Sequence, residues 1–162
     1  MLIEVPAVVV GRGPGSLMVA KMLGGQAIPC LLAGHQPAGG TELVPLGEAA
    51  AAALERHRLL DILRPYGANG PTPAISLDDY EHVLKHHCVA DVNVTVYDKV
   101  SLVDRRSTDA GMEAVLTDGR SHWDLRARWL VDGQALPAAL PEAIVAAAAL
   151  VDGIVASIAR RP

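Results

Sequence analysis

An apolar run that leads straight into a glycine-rich turn constrains the fold of this chain more than any other feature of its sequence. Residues 8–10 are three valines, which favour a buried strand, and the turn over residues 11–16 follows at once. The apolar segment 17–23 is typical of a helix, which we expect to end at the glycine pair that begins with Gly24. The sequence therefore predicts a strand, a tight loop and a helix, the opening of a βαβ unit.

The turn matches, with one departure, the loop that holds a dinucleotide diphosphate. Gly11 permits a tight turn, and Gly13 lets the backbone approach phosphate oxygens. The free N–H groups and the positive end of the following helix favour an anion there. Ser16 stands where the pattern G-x-G-x-x-G has its third glycine, and it is small enough to allow close helix–strand packing. The predicted diphosphate-binding residues are Gly11, Arg12, Gly13, Pro14, Gly15 and Ser16.

The end of the second predicted strand lacks an acid that such sites usually carry. Residues 28–32 form the short apolar run of that strand. A carboxylate commonly follows it and binds a ribose 2′-hydroxyl, but Ala33, Gly34 and His35 stand at these positions. His35 or Gln36 can donate a hydrogen bond instead, and His35 is therefore a cofactor-binding candidate. The missing acid disfavours ordinary cofactor affinity.

Composition and charge exclude several classes of protein. With 162 residues, 51% of them hydrophobic, the chain is long enough for one domain, residues 1–162, with a sizeable core. A net charge of −4 gives no general basic surface for nucleic acid. Cys30 and Cys88 lie too far apart in sequence to indicate a metal site, and we expect free thiols in a reducing cytoplasm. We also expect no signal peptide and no membrane partner.

The rest of the chain predicts helices and strands in alternation. Ser76 and Asp79 have the spacing of a capping box at the start of one helix. Arg105 and Arg106 are interpreted as a solvated turn. The predicted segments are a helix over 49–63, a flexible Gly/Pro-rich segment over 65–73, strands over 92–97 and 100–103, a hairpin over 112–128 with an Asp-Gly turn, a strand over 129–133 and a helix over 140–160. We expect an α/β fold, Rossmann-like, with a mainly parallel sheet, helices on both faces and a small antiparallel insertion over residues 90–128.

This order of elements resembles the FAD-binding module of the flavoprotein monooxygenase and flavin-dependent halogenase superfamily. The turn over residues 11–16 is similar to the family's G-x-G-P-x-G loop, and residues 40–45 are similar to its G-E-S-x-x-P stretch. Residues 75–84 resemble a helix that contacts FAD, although the basic residue that usually begins it is absent. Residues 91–133 resemble the family's three-stranded insertion and the V-x-A-x-G strand behind it. Where the family carries a substrate domain, this chain has only residues 134–140.

The resemblance implies FAD as the cofactor and adds three residues to the candidate site. Glu42 would face the flavin or the ribose, and Asp132 and Gly133 would lie near the phosphates. No catalytic residue and no metal ligand is predicted. Because apolar surface that the substrate domain covers in the family must be hidden elsewhere, we expect a homo-oligomer or a partner chain.

Three functions remain open at this point. The first is a minimal FAD-binding flavoprotein with a redox role in small-molecule metabolism, an FAD-dependent oxidoreductase completed by a partner or a homodimer. The second is a non-catalytic, flavoprotein-like partner or assembly subunit that has lost FAD. The third is a module for another nucleotide, NAD(P) or ADP-like, although the missing acid disfavours NAD.

Overall fold

The structure, a computed structural model, describes residues 2–161. Its main sheet has six strands in the order β5-β2-β1-β8-β7-β6, and β3 and β4 pair in a small separate sheet. The strands are β1 (Leu2–Val10), β2 (Cys30–Ala33), β3 (Leu43–Pro45), β4 (Ala74–Ser76), β5 (Val94–Tyr97), β6 (Ser101–Thr108), β7 (Gly111–Thr117) and β8 (His122–Asp132). The helices are α1 (Pro14–Gly25), α2 (Gly47–Arg56), α3 (Leu60–Leu63), α4 (Leu77–Ala90) and α5 (Leu140–Ala159).

The sheet has a parallel half and an antiparallel half that share one long strand. Strands β5, β2, β1 and β8 pair in parallel, whereas β7 pairs antiparallel with β8 and β6 with β7. Residues 124–127 of β8 pair with β1 on one side and with β7 on the other. The predicted α/β fold with a mainly parallel sheet and an antiparallel addition is thus confirmed. The two strands expected over 122–133 are one strand, because β1 pairs along nearly all of it.

Only one face of the parallel half carries helices among the described residues. Residues of all five helices join a single core cluster with Val9 and Leu32 of that face. The opposite face, represented by Val8 and Leu31, packs instead against Leu116 and Leu125 of the antiparallel strands. The expectation of helices on both faces is therefore wrong in this respect. The antiparallel strands supply enough apolar side chains to cover the second face themselves.

The side-chain alternation of β1 changes between its two halves. Ile3 and Val5 pack against the second-face cluster, and so do Val8 and Val10, although strict alternation would place these two pairs on opposite faces. Pro6, which lacks an N–H group for the sheet, lies between the two pairs and is absent from the register of β1 with β8. The two halves of β1 therefore present different sets of side chains to the same cluster.

The helix expected over residues 49–63 is two helices, because the backbone reverses at Arg58. Arg58 has a φ of +58°, in the left-handed region where a helix cannot continue. The Leu59 N–H donates to the Leu54 carbonyl at 2.8 Å and closes this turn. Asp152 of α5 lies 2.7 Å from Arg56 and 3.2 Å from His57, which holds the end of α2 against α5. Sequence periodicity does not reveal this break, since every residue around it favours a helix.

Helix α5 is long and apolar enough to cross a membrane by length and composition alone. In the fold it packs with its apolar side against α1 and α2, and Ile144, Ala147 and Val151 are fully buried there. The helix predicted over residues 140–160 is thus present, and one side of it belongs to the core.

The predicted N-cap at Ser76 is confirmed, whereas Asp79 contacts the hydroxyl of Ser76 in place of its backbone N–H. The Asp79 N–H donates to Ser76 Oγ at 3.1 Å, and the Ser76 hydroxyl donates to the Asp79 carboxylate at 2.9 Å. The side chain of Ser76 thus satisfies one of the N–H groups that a helix start leaves without a partner.

We predict that Ser76→Ala lowers the free energy of unfolding by about 1 kcal/mol, because it removes this cap. Urea denaturation followed by circular dichroism measures the change. Ser157→Ala is the control, since Ser157 lies within α5 and caps no helix. Equal stability of Ser76→Ala and the wild type would show that the cap contributes nothing.

Candidate functional site

The candidate site lies where β1, β2 and β8 end together. Val10 is in register with Ala33 on one side and with Asp132 on the other. The carboxyl edge of a parallel sheet is where ligands bind in open α/β folds. A cleft of about 330 Å³ opens at this edge, and an adjoining cleft of about 460 Å³ shares Arg12 and Gln36 with it. The glycine-rich loop after β1 separates the two.

The two leading glycines of this loop adopt backbone conformations that favour glycine. Gly11 has a φ of +106° and Gly13 a φ of +100°. A Cβ atom at Gly13 would meet no other atom within 4 Å, so the backbone faces open space here. The Gly11 N–H donates to the Ala33 carbonyl at 3.3 Å, which ties the loop to the end of β2. A ligand can therefore approach the main chain closely at Gly13.

The start of α1 presents its backbone toward the same region. Gly13 is the residue that precedes the helix, and its lack of a side chain leaves the first turn without a side-chain cap. Uncapped N–H groups and the helix dipole attract an anion. Gly15 has a different role, because a Cβ there would lie 2.7 Å from Leu136 Cδ1. Leu136 thus covers one side of the helix start, while Gly13 leaves the other side open.

Ser16, at the third position of the glycine pattern, supports the loop from beneath. Its hydroxyl lies 2.9 Å from the Gly13 carbonyl and 3.2 Å from the Gly11 carbonyl, to which it donates. A Cβ at Gly133 would lie only 3.0 Å from Ser16 Cβ. Gly133, which follows β8, therefore allows the close packing that a glycine at the position of Ser16 usually allows.

His35 lies inside the fold. It is 2% exposed, and its Nδ1 lies 3.5 Å from Ser16 Oγ. Burial, together with the nearby charge of Lys85, lowers the pKa of His35 to about 4, and the ring is neutral at pH 7. The exposed neighbour Gln36 is the residue at this strand end that lines both clefts. The structure thus brings His35 to the loop as an internal support.

Asp132 lies beside the loop with both carboxylate oxygens engaged. Its Oδ1 accepts from the Gln134 N–H at 3.0 Å, and its Oδ2 accepts from the Arg105 guanidinium at 3.2 Å. Arg105 and Arg106 are exposed, as expected, but they lie within β6 and not in a turn, and Arg105 reaches across to the end of β8. No sequence signal links two residues 27 positions apart, and only the folded chain brings them together.

Glu42 is the one predicted site residue that the structure does not bring to the loop. It is exposed in the segment before β3 and lines neither cleft. The remaining candidates, from Gly11 to Ser16 together with His35, Asp132 and Gly133, all surround the ends of β1, β2 and β8.

Helix α4 holds the far wall of the site through residues that sequence reasoning missed. Glu81, 3% exposed, accepts from the N–H groups of Ala38 and Gly39 at 3.0 and 3.3 Å. Asp78 accepts from the Gly40 N–H at 2.9 Å. Both carboxylates therefore fix the loop after β2, which lines the larger cleft. An acid on an otherwise apolar helix face was the signal for Glu81.

Tyr80 anchors the same helix to the start of α1. Its side chain is fully buried, and its hydroxyl donates to the Pro14 carbonyl at 2.8 Å. The first turn of α4 thus positions both the glycine-rich loop and the loop opposite it.

Within residues 2–161, no group of three or more His, Cys, Asp or Glu side chains is arranged to hold a metal ion. Cys30 and Cys88 are both buried, and burial raises the pKa of each thiol to about 12. Both are therefore protonated and shielded at neutral pH.

The fold is similar to parts of solved flavoenzymes. p-Nitrophenol 4-monooxygenase PnpA from Pseudomonas putida is 20% identical with a TM-score of 0.62, over 81% of this chain and 40% of that one. The flavin-dependent monooxygenase PieE, solved with FAD and substrate, is 17% identical with a TM-score of 0.58, over 79% of this chain and 30% of that one. The rebeccamycin biosynthetic enzyme RebC, solved with reduced flavin, is 16% identical with a TM-score of 0.62, over 82% of this chain and 33% of that one.

The chain therefore shares its fold with part of these flavin-dependent monooxygenases, in agreement with the family resemblance of its sequence. It spans 30% to 40% of the length of these solved structures. No protein-family model and no curated protein matches the sequence.

The lowered pKa of His35 predicts a pH dependence of stability. Because the unfolded ring has a pKa of about 6.5 and the folded ring a pKa of about 4, only the unfolded chain takes up this proton between those pH values. Stability is therefore lost as pH falls, by about 2 kcal/mol between pH 7 and pH 5. Urea denaturation at both pH values should show a smaller loss for His35→Gln than for the wild type.

His82→Gln is the matched control for this measurement, because His82 is exposed on α4. We expect it to keep the pH dependence of the wild type. Identical pH dependence in all three proteins would contradict the assignment of a neutral, buried His35.

Proposed function

We propose that this chain is a minimal FAD-binding flavoprotein of the monooxygenase or halogenase type, with a redox role in small-molecule metabolism. The cleft at the ends of β1, β2 and β8 would hold the cofactor. A second chain, either a partner protein or another copy, would complete the substrate side.

The observation that carries the proposal is the open backbone at Gly13 beside an uncapped helix start. Nothing lies within 4 Å of the position that a Gly13 side chain would occupy, and no side chain caps α1. This geometry suits a diphosphate, whose oxygens need close N–H donors and a favourable dipole. The fold shared with flavin-dependent monooxygenases makes FAD the dinucleotide that we propose.

When bound, the flavin ring would supply the redox chemistry, and the protein binds, orients and shields it. The N–H groups of the loop and of the first turn of α1 would hold the diphosphate, and Arg12 would add positive charge. Gln36, which is exposed after β2 and lines the cleft, would donate a hydrogen bond to a ribose hydroxyl in place of the missing carboxylate. Ser16 and His35 would keep the loop in shape from inside.

A second candidate function is a flavoprotein-like partner or assembly subunit without FAD. Two observations favour it. The position that usually carries a ribose-binding acid holds His35, which is directed into the fold. Leu136 also covers one side of the α1 start. Both features would be tolerated in a chain that keeps the fold for protein contacts alone.

The test is an absorption spectrum of the purified protein followed by titration with FAD. We predict bound flavin with absorbance near ~450 nm, from the isoalloxazine ring that such a cofactor carries. The variant Gly13→Asp should abolish binding, because a carboxylate then occupies the phosphate position. Protein that is colourless and ignores FAD, NAD and NADP would support the second function instead.

Gly70→Asp is the matched control for charge and backbone strain. Gly70 also has a positive φ, +77°, and open space around its Cβ position, but it lies in the loop before β4 and lines neither cleft. The Gly70→Asp variant should therefore bind FAD with the affinity of the wild type. Loss of binding in both variants would attribute the effect to misfolding.

We further predict that the purified chain sediments as a species heavier than its 17.0 kDa monomer. The expectation follows from exposed apolar side chains, among them Val145 at 40% and Ile158 at 40% on α5. Sedimentation equilibrium at increasing concentration measures the mass. A monomer throughout would exclude the homo-oligomer and leave a partner protein as the second chain.

A further inference from the structure

We infer that Arg105 is a positioning residue of the nucleotide site, which acts by neutralising Asp132 so that a diphosphate can bind beside it. The inference rests on the proposed function and concerns the same cleft. It assigns a role to a β6 residue that lies far from the glycine-rich loop in sequence.

The carboxylate of Asp132 lies against the loop. A Cβ at Gly11 would lie 3.7 Å from Asp132 Oδ1. The same Cβ position lies 3.5 and 3.6 Å from the backbone nitrogens of Gly133 and Gln134. The side chain is only 33% exposed, so water screens its charge less than on an open surface. A free carboxylate in this place would repel the phosphate oxygens that the loop is shaped to receive.

Arg105 offsets that charge. Its guanidinium lies 3.2 Å from Asp132 Oδ2, while Oδ1 accepts from the Gln134 N–H. A guanidinium stays protonated, so Arg105 places a permanent positive charge against the Asp132 carboxylate, which itself lines the cleft. The pair is therefore nearly neutral as a unit, whereas Asp132 alone would not be.

The other basic side chains nearby do not pair with Asp132. Arg106, the next residue of β6, pairs with Glu113 and is 75% exposed. Lys85 pairs with Asp98 at 2.6 Å. Arg12 lines the cleft, but its side chain makes no ion pair with Asp132 in the described structure. Arg105 is thus the basic side chain that contacts Asp132 among residues 2–161.

The position of Arg105 also depends on the fold of this chain. It sits in the part of β6 that follows the irregularity between Leu102 and Asp104, where the pairing of β6 with β7 shifts. From this part of β6 the Arg105 side chain reaches Asp132 at the end of β8. A strand that the sequence presents as a peripheral insertion therefore contributes an ion-pair partner to a carboxylate that lines the cleft.

The experiment is a double-mutant cycle measured by FAD titration of the full-length chain. We expect Arg105→Ala to weaken FAD binding about tenfold, within the range of coupling between contacting charged groups. Arg105→Lys should recover part of this loss, because it keeps the charge. In the Asp132→Asn background, where no carboxylate needs neutralising, Arg105→Ala should change the affinity less than twofold.

Arg106→Ala is the matched control, since it removes the same charge from the next residue of β6 and should leave FAD affinity unchanged. Thermal melting of each variant separates a folding defect from a binding defect. A tenfold loss in both backgrounds would show that Arg105 does not act through Asp132 and would overturn the inference. Wild-type affinity in Arg105→Ala would overturn it too, with the proposed function intact.

The two proposals fail in different ways. Wild-type protein that binds no FAD would remove the proposed function and this inference together. If the wild-type protein binds FAD but the double-mutant cycle shows no coupling between Arg105 and Asp132, only the inference is removed.

Discussion

The parallel pairing of β1 on both of its sides is the constraint on which the rest of this structure depends. β2 and β8 align with it so that Val10 faces Ala33 and Asp132 at one edge. Three chain segments must therefore leave the sheet at the same place. The glycine at the end of β1, with its positive φ, lets the chain turn away at once, and the space left between the three exits becomes the cleft.

Helix α4 turns that space into a defined site. Its first turns hold the glycine-rich loop through Tyr80 and the opposite loop through Asp78 and Glu81. Both walls thus share one rigid support, and a shift of α4 would move them together. The Tyr80 hydrogen bond is buried and those of Glu81 are partly buried, so loss of either side chain would leave a polar group without its partner. This makes the first turns of α4 sensitive to substitution.

Much of the fold could be predicted from the sequence, because it rests on local signals. Three valines before a glycine turn, the Ser76 cap and the Asp-Gly hairpin each report a structure formed within a few residues. The features that escaped prediction depend on contacts between distant segments. The antiparallel strands cover the second face of the sheet, Asp152 of α5 contacts the end of α2 next to the break at Arg58, and Arg105 contacts Asp132.

The same distinction between local signals and distant contacts applies to the residues of the candidate site. The loop residues were found because their spacing is itself the signal, whereas Glu81 was missed because nothing near it in sequence names its partners. His35 was found but for a different role, since strand patterns predict which residue follows β2 and not which way its ring turns. Position along the chain identifies the residues at a strand end, and packing decides which of them face the ligand.

The short connection between β8 and α5 has two consequences for the cleft. It passes from Asp132 to Leu140 in a few residues, whereas the part that matches this chain makes up only 30% to 40% of each solved flavoenzyme. It also places Leu136 against Gly15, so the connection is packed and forms part of the wall of the larger cleft. The shape of this part of the cleft is therefore fixed by contacts within the chain.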